Sequence, residues 1–486
     1  MNMNFSDINN ESCSFQPGSS LSGESVQVIE PATGGSLGFC NQATPEELET
    51  LVDSTKAAQQ GWAETGFDIR AQILRRFGAL LEKNAEVINR WNIRECGSIE
   101  GKAQWELQAC IDQAYMCSAL PLNASGEIFP SNIPERENHC IRVPLGLIGV
   151  ISPWNFPLLL SLRAVLPALA MGNSVIIKPD LNSVVTGGYI ITSLLEEAGL
   201  PKGVCTLALG GIKTGQRLVE HPKVDMIAFT GSTAAGREIA QVCGREFKKS
   251  ALELGGNNAF VVLDDADITG ASSCAAWGTF LHQGQICMQS GRHIVQESIA
   301  DAYIDALRER ATDLAIGDPN KEQVHLGPMI NESQAARVIS LINESVAMGA
   351  KVECGGKREG VFIQPTILSK VTPDMPIFKE EIFGPVAPVM TFVTDDEAIA
   401  IANDTQYGLA ASIQSADMVR AKVIANKIDA GMVHINDQTV NNEYQVPFGG
   451  MKASGNSGRF GGPANMEEFT ERKWISLRSE PLIYPF

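Results

Sequence analysis

Three separated stretches carry groups that could attack, deprotonate and polarise a carbonyl. The first is Phe280-Leu-His-Gln-Gly-Gln-Ile-Cys287-Met-Gln-Ser-Gly-Arg292, where a Gly-Gln-x-Cys turn follows an apolar run and an Arg stands five residues after the Cys. A thiol on a tight turn can face a cavity with backbone N–H groups free beside it, as a nucleophile and an oxyanion hole both require. The second, Leu252-Glu253-Leu-Gly-Gly-Asn257, sets a carboxylate among apolar residues and glycines. The third, Pro153-Trp154-Asn155-Phe156-Pro157, offers a side-chain amide. An isolated free thiol is commonly just a small buried hydrophobe. With a carboxylate and an amide it makes a catalytic set: Cys287 as nucleophile, Glu253 as base, Asn155 as oxyanion donor.

A large α/β framework must hold these groups. With 486 residues the chain exceeds one core, so two or three domains are expected. Residues 1–25 are rich in Asn, Ser and Gly and read as a poorly ordered tail. Val26 to Phe39 reads as a short strand and turn, and Thr44-Pro45-Glu-Glu47 is a capping box that opens a helix. Amphipathic helices follow around Ile69–Leu81, Ala85–Cys96 and Lys102–Leu120, their apolar and Trp stripes serving packing. From Leu147 the pattern becomes strand, helix, strand: Leu147–Ile151, Ser174–Ile177, Val204–Leu209 and Met226–Phe229 are short apolar runs between helical stretches. The same style returns from Asn258–Leu263 through Met432–Ile435. Continuous apolar strands separated by helices indicate a parallel sheet covered on both faces. Leu122–Val143 interrupts the first α/β unit as a hairpin.

Composition narrows the partners. A net charge of −18 disfavours nucleic acid and anionic membrane. The 11 cysteines show no metal-type spacing, which fits free thiols in a reducing compartment and no metal site. No apolar run reaches the roughly 18 residues of a membrane span. The N-terminus has no secretory pattern, so a cytoplasmic location is expected.

A cofactor site can also be placed. The chain has no G-x-G-x-x-G, but Phe229-Thr-Gly231-Ser232-Thr-Ala-Ala-Gly236 follows a strand and opens a helix, where backbone can approach a pyrophosphate. Lys178 stands at the carboxyl end of the strand Ser174–Ile177, where ligands of open parallel sheets bind.

From about residue 26 to the C-terminus, these motifs in this order resemble the NAD(P)-dependent aldehyde dehydrogenases. Ile-Lys-Pro-Asp180, His282-Gln-Gly-Gln-Ile-Cys-Met288 and Val433-His-Ile-Asn-Asp-Gln-Thr-Val440 are similar to the aromatic-aldehyde branch, benzaldehyde dehydrogenases in particular. The resemblance implies a variant Rossmann cofactor domain (26–121 and 144–253), an α/β catalytic domain (254–465) and an oligomerisation element (122–143 and 466–486) serving a homodimer or homotetramer. It implies NAD as cofactor, with NADP possible, contacted by Lys178, Gly231, Ser232, Gly236, Ser152, Trp154, Glu381 and Phe383. It implies oxidation of an aldehyde to a carboxylic acid through a thiohemiacetal and a thioester on Cys287. The thioester is then hydrolysed by water that Glu253 activates. The substrate pocket would be Phe156, Leu160, Arg163, Ile286, Met288 and Phe448, suited to an uncharged aromatic ring. His282 is expected to be structural.

Four features bear on alternatives. Leu181 stands where the family commonly has a Glu for the ribose, which opens the site to NADP. Arg163 matches an Arg of succinic-semialdehyde enzymes, so a semialdehyde dehydrogenase is the rival enzyme. A catalytically silent relative is a rival of another class, and the intact Cys287, Glu253, Asn155 and Lys178 oppose it. The segment Asn456-Ser457-Gly458-Arg459-Phe460 departs from a shorter Gly-Arg-Glu, removing one carboxylate from the neighbourhood of the base.

Overall fold

Two parallel sheets meet end to end where the chain passes from Glu253 to Asn258. The computed structural model describes residues 21–123, 125–456 and 458–486. The expected tail lies, up to residue 20, outside the described residues. Residues 21–25 instead make contacts: Ser22 bonds the Glu47 carboxylate at 2.9 Å, and Ser25 begins a strand.

The N-terminal part opens with an antiparallel pair, β1 (Ser25–Ile29) and β2 (Ser36–Asn41). Helix α1 (Pro45–Ala63) starts at the expected capping box, Thr44 and Glu47 closing it reciprocally. Helices α2 (Phe67–Lys83), α3 (Ala85–Cys96) and α4 (Glu100–Ser118) follow. Gly97 ends α3 at φ 66°, the left-handed position that lacks a Cβ penalty only for glycine. The hairpin expected between 122 and 143 is present as β3 (Gly126–Phe129) and β4 (Glu137–Pro144). The C-terminal strand Thr470–Leu477 pairs antiparallel with β4 along its whole length.

The first large sheet contains β5 (Leu147–Ser152), β6 (Ser174–Pro179), β7 (Cys205–Leu207), β8 (Met226–Thr230) and β9 (Lys249–Glu253). Its order is β7-β6-β5-β8-β9, all parallel. Successive strands run outward on opposite sides of the β5–β8 boundary, which makes that boundary the topological switch point. Helices α5 (Pro157–Ala170), α6 (Ile190–Glu197), α7 (Ile212–Glu220) and α8 (Thr233–Arg245) provide the crossovers. Helix α5 is buried all round, as its unbroken Leu and Ala run requires.

The second sheet has seven strands, in the order 351–354, 366–369, 386–392, 290–296, 258–262, 410–414, 432–435. Only the 351–354 edge is antiparallel. The loops that reach the first sheet precede these strands, so the amino ends of one parallel sheet face the carboxyl ends of the other. No helix among the described residues is long and apolar enough to cross a membrane.

Arg292 ties the junction together and does not face the cavity. Its buried guanidinium donates to the carbonyls of Asn257 (3.1 Å), Ile401 (2.7 Å) and Ala402 (2.8 Å). Arg292→Leu should therefore leave three carbonyls without donors and destabilise the protein by about 3 kcal/mol, at about 1 kcal/mol for each lost bond. Equilibrium denaturation of the variant measures this.

Candidate active site

A cavity of about 380 Å³ opens at the β5–β8 switch point. It is lined by Pro153, Trp154, Asn155 and Leu160 after β5, by Thr230 to Ala234 after β8, and by Cys287, Glu381, Phe383 and Tyr407 from the second sheet. Of the residues singled out from sequence, Trp154, Asn155, Leu160, Gly231, Ser232, Cys287, Glu381 and Phe383 thus share one space. Gln334, Arg337 and Tyr407 also line it and carry no motif.

Close backbone contacts hold the Cys287 loop. Asn258 Nδ2 donates to the Cys287 carbonyl at 2.8 Å and to that of Gln289 at 2.7 Å. A Cβ on Gly256 would lie 2.3 Å from the Cys287 carbonyl, and one on Gly284 would lie 2.2 Å from the Gly384 carbonyl. The glycine of the Gly-Gln-x-Cys turn is therefore required by proximity as well as by its φ of 70°. His282 and Gln283 just before it are left-handed too, at φ 50° and 57°. Gln283 is pinned by donating to the carbonyls of Gly97 (3.1 Å) and Pro328 (2.7 Å). Phe383, across the cavity, has φ 52°. Backbone strain of this kind persists only where the surroundings over-determine it, and it gathers at functional sites.

The thiol of Cys287 is partly exposed and faces the cavity. Burial among apolar groups, reinforced by Glu381 and Glu253 and opposed by Arg163, pushes its pKa up to about 12. Glu253 is 3% exposed, and neither carboxylate oxygen has a hydrogen-bond partner. Burial raises its pKa to about 8 against the pull of Arg163 and Arg459. Asn155 donates one amide hydrogen to the Gln285 carbonyl at 2.9 Å, while its own oxygen is unpartnered. Its second amide hydrogen remains for a ligand.

The apolar residues around the thiol also converge. Phe156, Leu160, Ile286, Met288 and Phe448 belong to one buried cluster, with Cys287 packed against it. Arg163 is 5% exposed, its guanidinium 4.1 Å from the centre of the Phe448 ring and its Nη2 donating to Asn442 at 2.7 Å. It faces inward, and no carboxylate pairs with it among the described residues. His282 is fully buried, its ring edge-on to Phe156 at 5.6 Å. Burial keeps that imidazole neutral.

The remaining groups test whether a dinucleotide would fit. Lys178 is 8% exposed at the end of β6 and makes no hydrogen bond or ion pair among the described residues. A buried ammonium so placed calls for an acceptor. Helix α8 opens toward the cavity with only its own Ser232 hydroxyl as cap, accepting from Ala235 at 3.3 Å. Glu381 Oε1 accepts from Gly256 N at 3.0 Å, and burial lifts its pKa to about 7. Arg337 donates to the carbonyls of Glu381 (2.6 Å) and Ile382 (2.9 Å), so it sets the backbone on which Glu381 rides. These groups fit a dinucleotide. Two residues named from the sequence, Gly236 and Ser152, do not line the cavity. A Cβ on Gly236 would lie 2.3 Å from Leu254, so this glycine lets α8 pack and does not line the cleft. The Ser152 hydroxyl is buried 2.6 Å from that of Ser161, facing the core. At the ribose end, Asp180 is engaged by Asn182 N (2.9 Å) and Nδ2 (2.7 Å), and Leu181 lies beside Gly211.

Comparison with known proteins agrees with this geometry. The profile of the Aldehyde dehydrogenase family matches residues 18–475. A benzaldehyde dehydrogenase (NAD⁺) of Pseudomonas putida is 49% identical, covering 95% of this chain and 95% of its own length. A vanillin dehydrogenase of Amycolatopsis sp. is 48% identical, covering 96% of each. The crystal structure of a betaine aldehyde dehydrogenase of Staphylococcus aureus in complex with NAD⁺ superposes with a TM-score of 0.92 at 30% identity, covering 96% of this chain and 94% of that one. The chain belongs to the aldehyde dehydrogenase family.

Proposed function

We propose that this enzyme oxidises an aromatic aldehyde of the benzaldehyde kind to its carboxylic acid, with Cys287, Glu253 and Asn155 as the catalytic residues. The observation that carries the site assignment is Glu253: a buried carboxylate without a partner, in electrostatic reach of a thiol that faces the cavity. NAD is the cofactor and supplies the hydride acceptor. Lys178, Gly231, Ser232, Trp154, Glu381 and Phe383 are the residues that would hold it.

In this reading the Cys287 thiol gives up its proton to solvent before attack. The sulfur then bonds to the carbonyl carbon, and the carbonyl oxygen becomes an alkoxide. The free Asn155 N–H and the Cys287 backbone N–H take up that charge, which exists only after attack. Once the carbon is oxidised, the acyl group stays on sulfur as a thioester. Glu253 removes a proton from water, the water oxygen adds to the thioester carbon, and sulfur departs as the acid forms. The apolar cluster of Phe156, Leu160, Ile286, Met288 and Phe448 receives the ring by burial, at about 25 cal/mol per Å².

The sheet β7-β6-β5-β8-β9 belongs in this reading to a cofactor domain, 26–121 with 144–253. Residues 254–465 form the catalytic domain. The three-stranded sheet of 122–143 and 466–486 exposes Ile128 and Trp474 and serves homo-oligomerisation. All ten described cysteines are unpaired, in keeping with a cytoplasmic enzyme.

Arg163 favours the second reading, a semialdehyde dehydrogenase, since a buried guanidinium without a carboxylate could take one from the substrate. Its face is already covered by Phe448 and one edge by Asn442. Benzaldehyde and small ring-substituted relatives should therefore have kcat/KM at least about tenfold above succinic semialdehyde, a gap of about 1.4 kcal/mol. A preference for succinic semialdehyde that vanishes in Arg163→Leu would install the rival.

Cys287→Ser should lose at least about a thousandfold in turnover, with Cys274→Ser near normal. Glu253→Gln should give an NADH burst near one equivalent per site and then slow turnover. In the unmodified enzyme, hydrolysis-limited turnover should rise with pH through about 8, because Glu253 acts as a base only when ionised. A pH-independent hydrolysis rate between 6 and 9 would remove Glu253 from that step.

At the ribose end no carboxylate replaces Leu181, so NADP should be used measurably beside NAD. Leu181→Glu should depress NADP use more than NAD use. Equal effects, in initial rates with each cofactor, would place this side chain away from the 2′ position.

A further inference from the structure

Beyond the residues that would touch substrate or cofactor, the structure assigns Glu106 as the positioning residue for Asn155. It acts through a cap on the helix that Asn155 precedes, and the inference rests on the reading of Asn155 as oxyanion donor. Helix α5 begins two residues after Asn155, at Pro157, and has no side-chain cap of its own. Its first amide hydrogens point into a dry interior and need acceptors. Glu106, on α4, supplies them: Oε1 accepts from Leu158 N at 2.9 Å and from Leu159 N at 3.1 Å. Its other oxygen accepts from Lys102 Nζ at 2.6 Å and from Asn92 Nδ2 at 2.7 Å. Lys102 donates also to Asn92 Oδ1 at 3.2 Å. Four donors thus fix a fully buried carboxylate against rotation.

The same helix grips the residue between Asn155 and α5. The Lys102 ammonium sits 4.3 Å from the centre of the Phe156 ring, and Trp105 meets that ring edge-on at 6.0 Å. The same ring meets His282, which belongs to the Cys287 loop. Main chain directly after Asn155 is therefore referenced to α4, and the Asn155 amide reaches the Gln285 carbonyl two residues before Cys287. An oxyanion donor contributes only if it meets the developing charge at hydrogen-bond distance, and an error near 1 Å forfeits most of the effect. Stability alone does not explain such a buried pair, since an apolar replacement of the same volume is commonly neutral or better.

Two double variants separate cap from charge. Lys102→Met/Glu106→Gln removes both charges and keeps an oxygen for Leu158 and Leu159. Lys102→Met/Glu106→Leu removes the charges and the cap. Rapid mixing with benzaldehyde at saturating NAD reads the rate of the NADH burst. The Gln variant should stay within about threefold of the unmodified enzyme. The Leu variant should fall at least about tenfold, with KM for NAD within about twofold. In an Asn155→Ala background the Leu variant should add no further loss, because a positioning effect disappears with the group positioned. Equal losses in the two double variants, or a full additional loss on top of Asn155→Ala, would overturn the assignment. An unchanged burst in Asn155→Ala alone would remove the oxyanion reading, and this inference with it. Should the Leu variant not fold, Glu106→Asp retracts the acceptor by one carbon while keeping the charge, and the same thresholds apply.

Discussion

Helix ends in a water-free interior must be satisfied, and in this protein that constraint decides where a charged ligand can go. Three helical segments follow the central strands of the first sheet. Glu106 closes α5, which follows β5. After β6, the helical turn Val185–Tyr189 is closed by Glu95, which accepts from Val185 N and Thr186 N, both at 2.8 Å. Both carboxylates come from the α3–α4 layer and are fully buried. At either position the amide hydrogens that a phosphate would need are already taken by a carboxylate. Helix α8, after β8, has only the weak cap of Ser232 and opens into the cavity. The absence of a G-x-G-x-x-G after the first strand then has a physical reason: the usual anion site has been filled from inside the fold.

The junction between the sheets imposes a second constraint. Parallel sheets ordinarily present ligands to the carboxyl ends of their strands. Here Cys287, Glu381 and Phe383 lie on loops that enter strands. Such loops cannot draw on strand geometry to aim a side chain, so the aim comes from close packing instead. Gly256 and Gly284 admit carbonyls that a Cβ would exclude, and Asn258 clamps the Cys287 loop from the start of the strand 258–262. Gln283 ties the same loop to the α3–α4 turn.

Much of this was legible in the sequence, and what was not has a common cause. The alternating strands and helices, the hairpin and the helix α1 start follow from local periodicity and capping, which act within a few residues. The set Cys287, Asn155, Glu381 and Phe383 was legible because each sits in a motif whose glycines and prolines mark a turn. Arg337 and Tyr407 act across gaps of tens of residues, and nothing in their own neighbourhood distinguishes them from an ordinary helix face or strand entry. Lys102 and Glu106 carry no motif, and a buried ion pair at a spacing of four resembles a solvated one on paper. Gly236 shows the converse. Its motif position suggested ligand approach, and Leu254 reveals a packing demand.

The chemistry and the stability of the fold meet in Glu253. Its pKa is about 8 in the folded protein against an ordinary value of 4.5, so the native state binds that proton more tightly than the unfolded chain does. The sign follows: the folded state is favoured by this group below pH 4.5, and that advantage is lost as pH rises from there through about 8. The ionised carboxylate, the form a base needs, is therefore the form the fold holds at a cost. A partner donor would remove the cost by lowering the pKa, and with it the basicity that makes water reactive. Arg163 and Arg459 moderate the charge without bonding to it, which leaves both oxygens free. The unsatisfied carboxylate is thus the point at which this structure trades stability for reactivity.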